Sequence, residues 1–207
     1  ADMELLESIA DSIPYSLNEG TPSGTPLMFR LTVDNGQYEI TDTIHRIFGE
    51  TEVVFEDGCE DMTNWISPNW DVTTASYFSP SGSITDSPGG DYPNSHVGAA
   101  IMVGEIDLSE TNFAMLDFHG RWEIEAGYDF VQLQVSQNGG SSWEALEGLY
   151  TVTGTPDQAE GQPVYDGFQT EWVHEQIDIS AYTGGSVTFR FFMKTDNWVT
   201  EDGFYFD

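Results

Sequence analysis

Residues 82–92 (GSITDSPGGDY) gather Ser, Thr, Gly, Pro and two carboxylates, Asp86 and Asp91, with no hydrophobic periodicity. Gly and Pro set turns, so the stretch is expected to be a loop. Its carboxylates, hydroxyls and free carbonyls are hard-cation ligands, and calcium takes about six to eight such oxygens. The loop is therefore read as a calcium-organised corner of a β-sandwich. Glu56, Asp57 and Asp207 end segments expected to neighbour one another at the two ends of the same domain. A cluster of carboxylates repels itself unless a cation joins it.

Other residue patterns point to packing rather than to catalysis. His174-Glu175-Gln176-Ile177-Asp178 departs from the zinc-protease pattern H-E-x-x-H at its fifth position. It also alternates like a strand, where that motif needs a helix. His45, His96 and His119 do not begin H-x-x-E, so no zinc carboxypeptidase centre is expected. With 36 acidic residues, carboxylate pairs of the glycosidase kind arise by chance. Cys59 is the sole cysteine, which excludes an internal disulfide. Without a partner base it reads as a buried or edge thiol.

Residues 136–143 (SQNGGSSW) match the aspartate-box hairpin S-x-D-x-G-x-x-W, with Asn138 in the Asp place. Its expected role is structural: Ser and amide side chains hold the turn, Gly140 accepts a positive φ, and Trp143 packs back on the strands. Trp122, Trp172 and Trp198 are candidates for a sugar-stacking platform, against a role in the core. Trp198 lies in a polar loop, residues 194–203 (KTDNWVTEDG), with Asp196, Glu201 and Asp202. A carbohydrate-binding module would present Trp198, Tyr92 and Tyr165 as one exposed flat patch. A packed arrangement would argue against it.

The charge balance narrows the partners. The 207 residues carry 36 acidic against 5 basic side chains, a formal net of −31. Nucleic acid and anionic membrane surfaces need cationic contacts and are excluded. Bound divalent cations, a saline medium or a secreted acidic surface would each account for the balance. No apolar run approaches the ~20 residues of a membrane span. Hydrophobic residues at 39% and aromatics at 14% support a sizeable core. The sequence starts at Ala1 and stops within the strand-like Tyr205-Phe206-Asp207, and so is expected to be part of a longer, processed protein.

The elements that must position these residues read as β throughout. Residues 1–13 place Leu5, Leu6, Ile9 and Ile13 near one helical face but lack a cap, so helix and strand both stay open. Residues 27–33 and 37–44 flank Asp34-Asn35-Gly36, a tight-turn signal. From Val53 the texture changes. Val53-Val54-Phe55 reads as a strand, and residues 65–79 read as an aromatic strand pair. Residues 97–103 form a buried apolar strand, followed by strands at 113–118 and 121–125. Val131, Leu133 and Val135 face inward from 129–136, and Val173, Ile177 and Ile179 from 172–179. Val187, Phe189, Phe191 and Met193 face inward from 186–194, and 203–207 is the last strand. The expected class is all-β: a jelly-roll β-sandwich at residues 53–207, preceded at residues 1–52 by the last strands and linker of an immunoglobulin-like β domain.

Residues 53–207 resemble the jelly-roll accessory domain that follows the catalytic unit in secreted bacterial peptidases. The relatives are domains of the immune-inhibitor-A type, adhesin domains of gingipain-like proteases and MAM domains. The matching marks are Val54-Phe55-Glu56-Asp57, Asp86-Ser87-Pro88-Gly89-Gly90-Asp91-Tyr92, Ile106-Asp107-Leu108-Ser109, Asp129-Phe130, the 136–143 hairpin, Ile177-Asp178-Ile179-Ser180 and residues 202–207. Asn138 departs from the usual Asp. The parents most similar in pattern are zinc carboxypeptidases of the carboxypeptidase T type. The resemblance implies a non-catalytic domain that binds Ca2+, with Asp57, Asp86, Asp91 and Asp207 as ligands and Glu56 as a fifth. It further implies a secreted or cell-surface setting. The partners would be the catalytic domain of the same parent chain and an extracellular protein or polysaccharide. The expected tasks are adhesion, substrate positioning or stabilisation of the parent. The alternatives are a carbohydrate-binding module and a hydrolase in its own right.

Overall fold

The computed structural model describes residues 12–49 and 51–207, which divide after Glu52 into two compact units. Residues 1–11, where helix and strand both stayed open, lie outside the described residues.

In the first unit, β1 (Thr25–Asp34) and β2 (Glu39–Phe48) pair antiparallel from Thr25↔Phe48 to Asp34↔Glu39. The turn between them is held by Asn35, whose side-chain oxygen accepts the N–H groups of Gln37 and Tyr38. Gly36 sits at φ +84°, where a side chain would be strained.

The second unit is a β-sandwich of two antiparallel sheets. One sheet runs β10 (Glu144–Ala145), β9 (Phe130–Ser136), β14 (Ser186–Lys194), β6 (Val97–Met102) and β3 (Trp65–Ile66), with β7 (Ile106–Asp107) also on β14. The other runs β13 (Gly167–Asp178), β8 (Met115–Ile124), β15 (Gly203–Phe206), β5 (Ser83–Thr85) and β4 (Asp71–Thr73). A small hairpin of β11 (Val152–Thr153) and β12 (Pro163–Val164) lies outside both. The chain changes sheet between β3 and β4, β5 and β6, β7 and β8, β8 and β9, β13 and β14, and β14 and β15, and again on the way from β10 through the β11–β12 hairpin to β13. These crossings bring loops from distant sequence positions to the same ends of the sandwich.

The core is the filling between the sheets. Val187, Phe189, Phe191 and Met193 alternate inward from β14, and Val131, Leu133 and Val135 from β9, all buried as expected. Phe191 stacks on Phe206 of the opposite sheet at 4.1 Å between centroids, and Trp122 stacks on Phe204 at 5.6 Å. Each such aromatic removes roughly 150–250 Å² from water, which is why these positions carry the sandwich.

Several expectations are corrected. Ser83-Ile84-Thr85, expected within a loop, is strand β5, fully buried between β15 and β4. Three residues are too few to show a period, so the Gly and Pro around them dominated the reading. Val53-Val54-Phe55 forms no strand and is exposed. The strand pair expected in residues 65–79 does not form, because β3 joins β6 and β4 joins β5 in the other sheet. The strands expected at 113–118 and 121–125 are one strand, β8, running through Gly120. The apolar run 97–103 is buried on one face only: Val97, Ile101 and Val103 are exposed.

Candidate metal centre

The expected calcium ligands are not among the described residues that gather three carboxylate oxygens within 4.8 Å of one another, although Asp57 and Asp207 both bear on Cys59. Asp57 accepts Trp65 Nε1–H at 2.7 Å and Cys59 N–H at 3.0 Å. Asp207 accepts the N–H groups of Phe78 and Ser79 at 2.8 Å and the Ser79 hydroxyl at 2.6 Å. Their oxygens are already engaged by protein donors. Asp91 and Glu56 are exposed. Asp86 is buried, and its Oδ1 accepts Phe204 N–H at 2.7 Å. Its Oδ2 is buried without a partner. Burial, then the nearby Asp202 charge, push its pKa up to about 7, against the hydrogen bond that favours the carboxylate. Gly203, at φ +91°, lets β15 approach: a Cβ there would lie 2.7 Å from Asp86 Oδ1 and 2.7 Å from Ser87 Oγ.

A different group does converge. Among the described residues, Glu125, Asp129 and Asp196 place one carboxylate oxygen each within 4.8 Å of one another. Topology explains this. Glu125 follows β8 and Asp129 precedes β9, so the pair flanks the turn by which the chain changes sheet, and Asp129 N–H bonds Glu125 C=O at 3.2 Å. Phe130 pairs with Lys194 at the end of β14, which brings Asp129 beside the loop after β14. There Asp196 N–H donates to Asp129 Oδ1 at 2.5 Å. Asp129 is 0% exposed and its Oδ2 has no hydrogen-bond partner. Glu125 Oε2 is also buried and unpartnered. Tyr92 completes the wall: its hydroxyl accepts Glu125 N–H at 3.0 Å, and its own N–H donates to Glu201 C=O.

The electrostatics of this end are one-sided. Burial raises the Asp129 pKa, as does the Asp196 charge, against the hydrogen bonds that favour its anion. Burial raises that of Glu125, followed by the charges of Asp196, Asp129 and Glu201. Two carboxylates about this far apart repel by on the order of 3 kcal/mol at an effective dielectric near 20. The donor set holds only oxygen, which suits calcium or magnesium and not a soft metal.

The sugar-platform arrangement is corrected. Tyr92 and Tyr165 are each 1% exposed, because both rings fill the core and both hydroxyls are engaged. Trp122 is buried as well, leaving Trp198 exposed at 78%. The His174–Asp178 segment lies inside β13, where His174 stacks on its cross-strand partner His119 at 4.7 Å. Next to His174 in β13, Glu175 is buried at 1% exposure. Its carboxylate accepts Leu149, Tyr150 and Gln176 N–H groups and the Tyr165 hydroxyl. Cys59 is buried, and burial and then the Asp57, Asp207 and Glu60 charges push its thiol well above the usual range, so it holds no thiolate. The 136–143 hairpin behaves as its pattern implies. Ser136 Oγ accepts Gly140 N–H, Asn138 Oδ1 accepts Ser142 N–H, and Asn138 Nδ2 donates to Ser142 Oγ, a bond that an Asp could not make.

Residues 97–207, more than half of the chain, match the family described as immune inhibitor A-like, MAM domain. The chain belongs to this family. It is 26% identical over 118 residues, 57% of its length, to Bacillopeptidase F of Bacillus subtilis, and 30% identical over 94 residues, 45% of its length, to the pre-pro-metalloprotease PrtV of Vibrio cholerae. It spans 7% and 10% of the length of those relatives. In those relatives the matching stretch is a small part of a chain that is named as a peptidase or metalloprotease. The matched residues begin at β6, yet β5 lies between β15 and β4, so the sandwich extends N-terminally beyond them. Sequence reading does not single out Glu125 and Asp129 as candidate ligands, because the change of sheet that they flank is set by tertiary structure. Asp196 was noted only as a companion of Trp198.

Proposed function

We propose that this domain is a calcium-stabilised accessory module of a secreted peptidase. It acts outside the cell to steady and position the catalytic domain of its parent chain, and it offers an acidic surface for contact with an extracellular protein or polysaccharide. The family membership and the small share of the relatives that it covers support the accessory role. The observation that carries the calcium reading is Asp129, a carboxylate fully removed from water with one oxygen that no hydrogen bond satisfies. A formal charge of −31 points the same way, since divalent cations relieve part of that repulsion. The test is thermal unfolding of the 207-residue chain in EDTA and in rising calcium. Stability is expected to climb as RT ln(1 + [L]/Kd). A melting temperature that calcium leaves unchanged refutes the calcium part of this function.

A further inference from the structure

We propose that Glu125, Asp129 and Asp196 form a calcium site that latches one end of the sandwich. The inference rests on the calcium reading above and gives it a location. Proximity of acids carries little on a chain with 36 of them. The decisive observation is that Asp129 Oδ2 and Glu125 Oε2 are both buried without a hydrogen bond of normal geometry, though the Tyr92 hydroxyl bears on Asp129, inside the one described group of three whose carboxylates reach each other. Buried carboxylate oxygens are ordinarily satisfied, and leaving them bare is costly. Among the described residues, no arginine or lysine forms an ion pair with Glu125, Asp129 or Asp196. The charges bearing on Glu125 are Asp196, Asp129 and Glu201, all of its own sign. One proton relieves one carboxylate, whereas a divalent cation relieves the group together.

The ligand class follows from the donors. Three carboxylates, with no His or Cys among them, select a hard cation. Magnesium retains most of its waters and takes one or two carboxylates, while calcium accepts several protein oxygens in flexible geometry. Three carboxylates from two separate segments fit calcium better. The segments are the turn between β8 and β9 and the loop between β14 and β15, both of which pass from one sheet to the other. A cation there fixes two crossings at once. Asp196 Oδ1 also accepts Trp198 N–H at 2.9 Å, so the same ion orders the loop that presents the exposed Trp198.

The test compares the 207-residue chain with Asp129→Asn, Glu125→Gln and, as a control, Asp57→Asn, each melted in EDTA, calcium and magnesium. At calcium about a hundredfold above Kd, the wild type is expected to melt roughly 5–10 °C higher than in EDTA. Asp129→Asn and Glu125→Gln lose most of that shift, with calcium affinity down by about tenfold or more, and Asp57→Asn keeps it. In EDTA, Asp129→Asn melts at or above the wild type, because a buried unpaired charge is gone. Terbium, a calcium substitute, emits on excitation of the adjacent Tyr92, and the two site variants quench that emission. If the wild type responds to calcium and both site variants respond equally, the location is overturned while the calcium reading stands. A wild type without a response overturns both, and a response to magnesium alone overturns the assignment to calcium. Should Asp129→Asn fail to fold, Glu125→Gln decides.

Discussion

Asp86→Asn is expected to change the pH dependence of stability in a way that isolates one buried carboxyl. Asp86 sits where β5 meets β15, with Oδ1 on Phe204 N–H and Oδ2 unpartnered. Burial raises its pKa from 3.8 to about 7. Between those values the folded chain keeps a proton that the unfolded chain releases. The stabilisation from protonated Asp86 is therefore whole below pH ~4 and is lost as pH rises through about 7. Three units at about 1.4 kcal/mol each make this on the order of 4 kcal/mol. An asparagine cannot ionise, and its oxygen keeps the Phe204 bond. Its amide group costs about 1–3 kcal/mol if it finds no acceptor. The variant should thus be no more stable than the wild type at pH 5 and more stable by roughly 1–3 kcal/mol at pH 8. Urea unfolding in EDTA at pH 5, 6, 7 and 8 measures the difference, which cancels the general repulsion of so acidic a chain. A difference that stays flat across this range refutes the argument.

Two further predictions follow from buried groups. Glu175→Gln turns an amide toward the N–H groups of Leu149 and Tyr150 and should cost about 1–3 kcal/mol in urea unfolding; a cost under about 0.5 kcal/mol would show that the carboxylate does not hold the 148–150 loop. Cys59 should resist thiol reagents in the native chain at pH 8 and react once the chain is unfolded, since its thiol is buried and held protonated. Rapid native labelling would contradict that placement.

Period-2 alternation made the long strands legible. In β9 and β14 every second residue is large and apolar, and the sheets bury those faces. The 136–143 hairpin was legible for the same reason: its hydrogen bonds join residues two to four apart, so local sequence contains both partners. Short strands were not. β5 owes its place to β15 and β4, and nothing in three residues announces those neighbours.

The candidate site divides in the same way. Sequence alone established an acidic, all-β chain whose local motifs resemble those of an accessory domain of peptidases, because composition, periodicity and local motifs are properties of the chain itself. It also showed which carboxylates exist. Only the tertiary structure decided which of them meet. Asp57 and Asp207 are matched to N–H and O–H donors that arrive through the fold. Asp129 and Asp196 lie 67 residues apart and are joined by the register of β9 against β14. Whether a carboxylate is satisfied or stranded depends on the donors that packing brings to it, and strand order sets those donors.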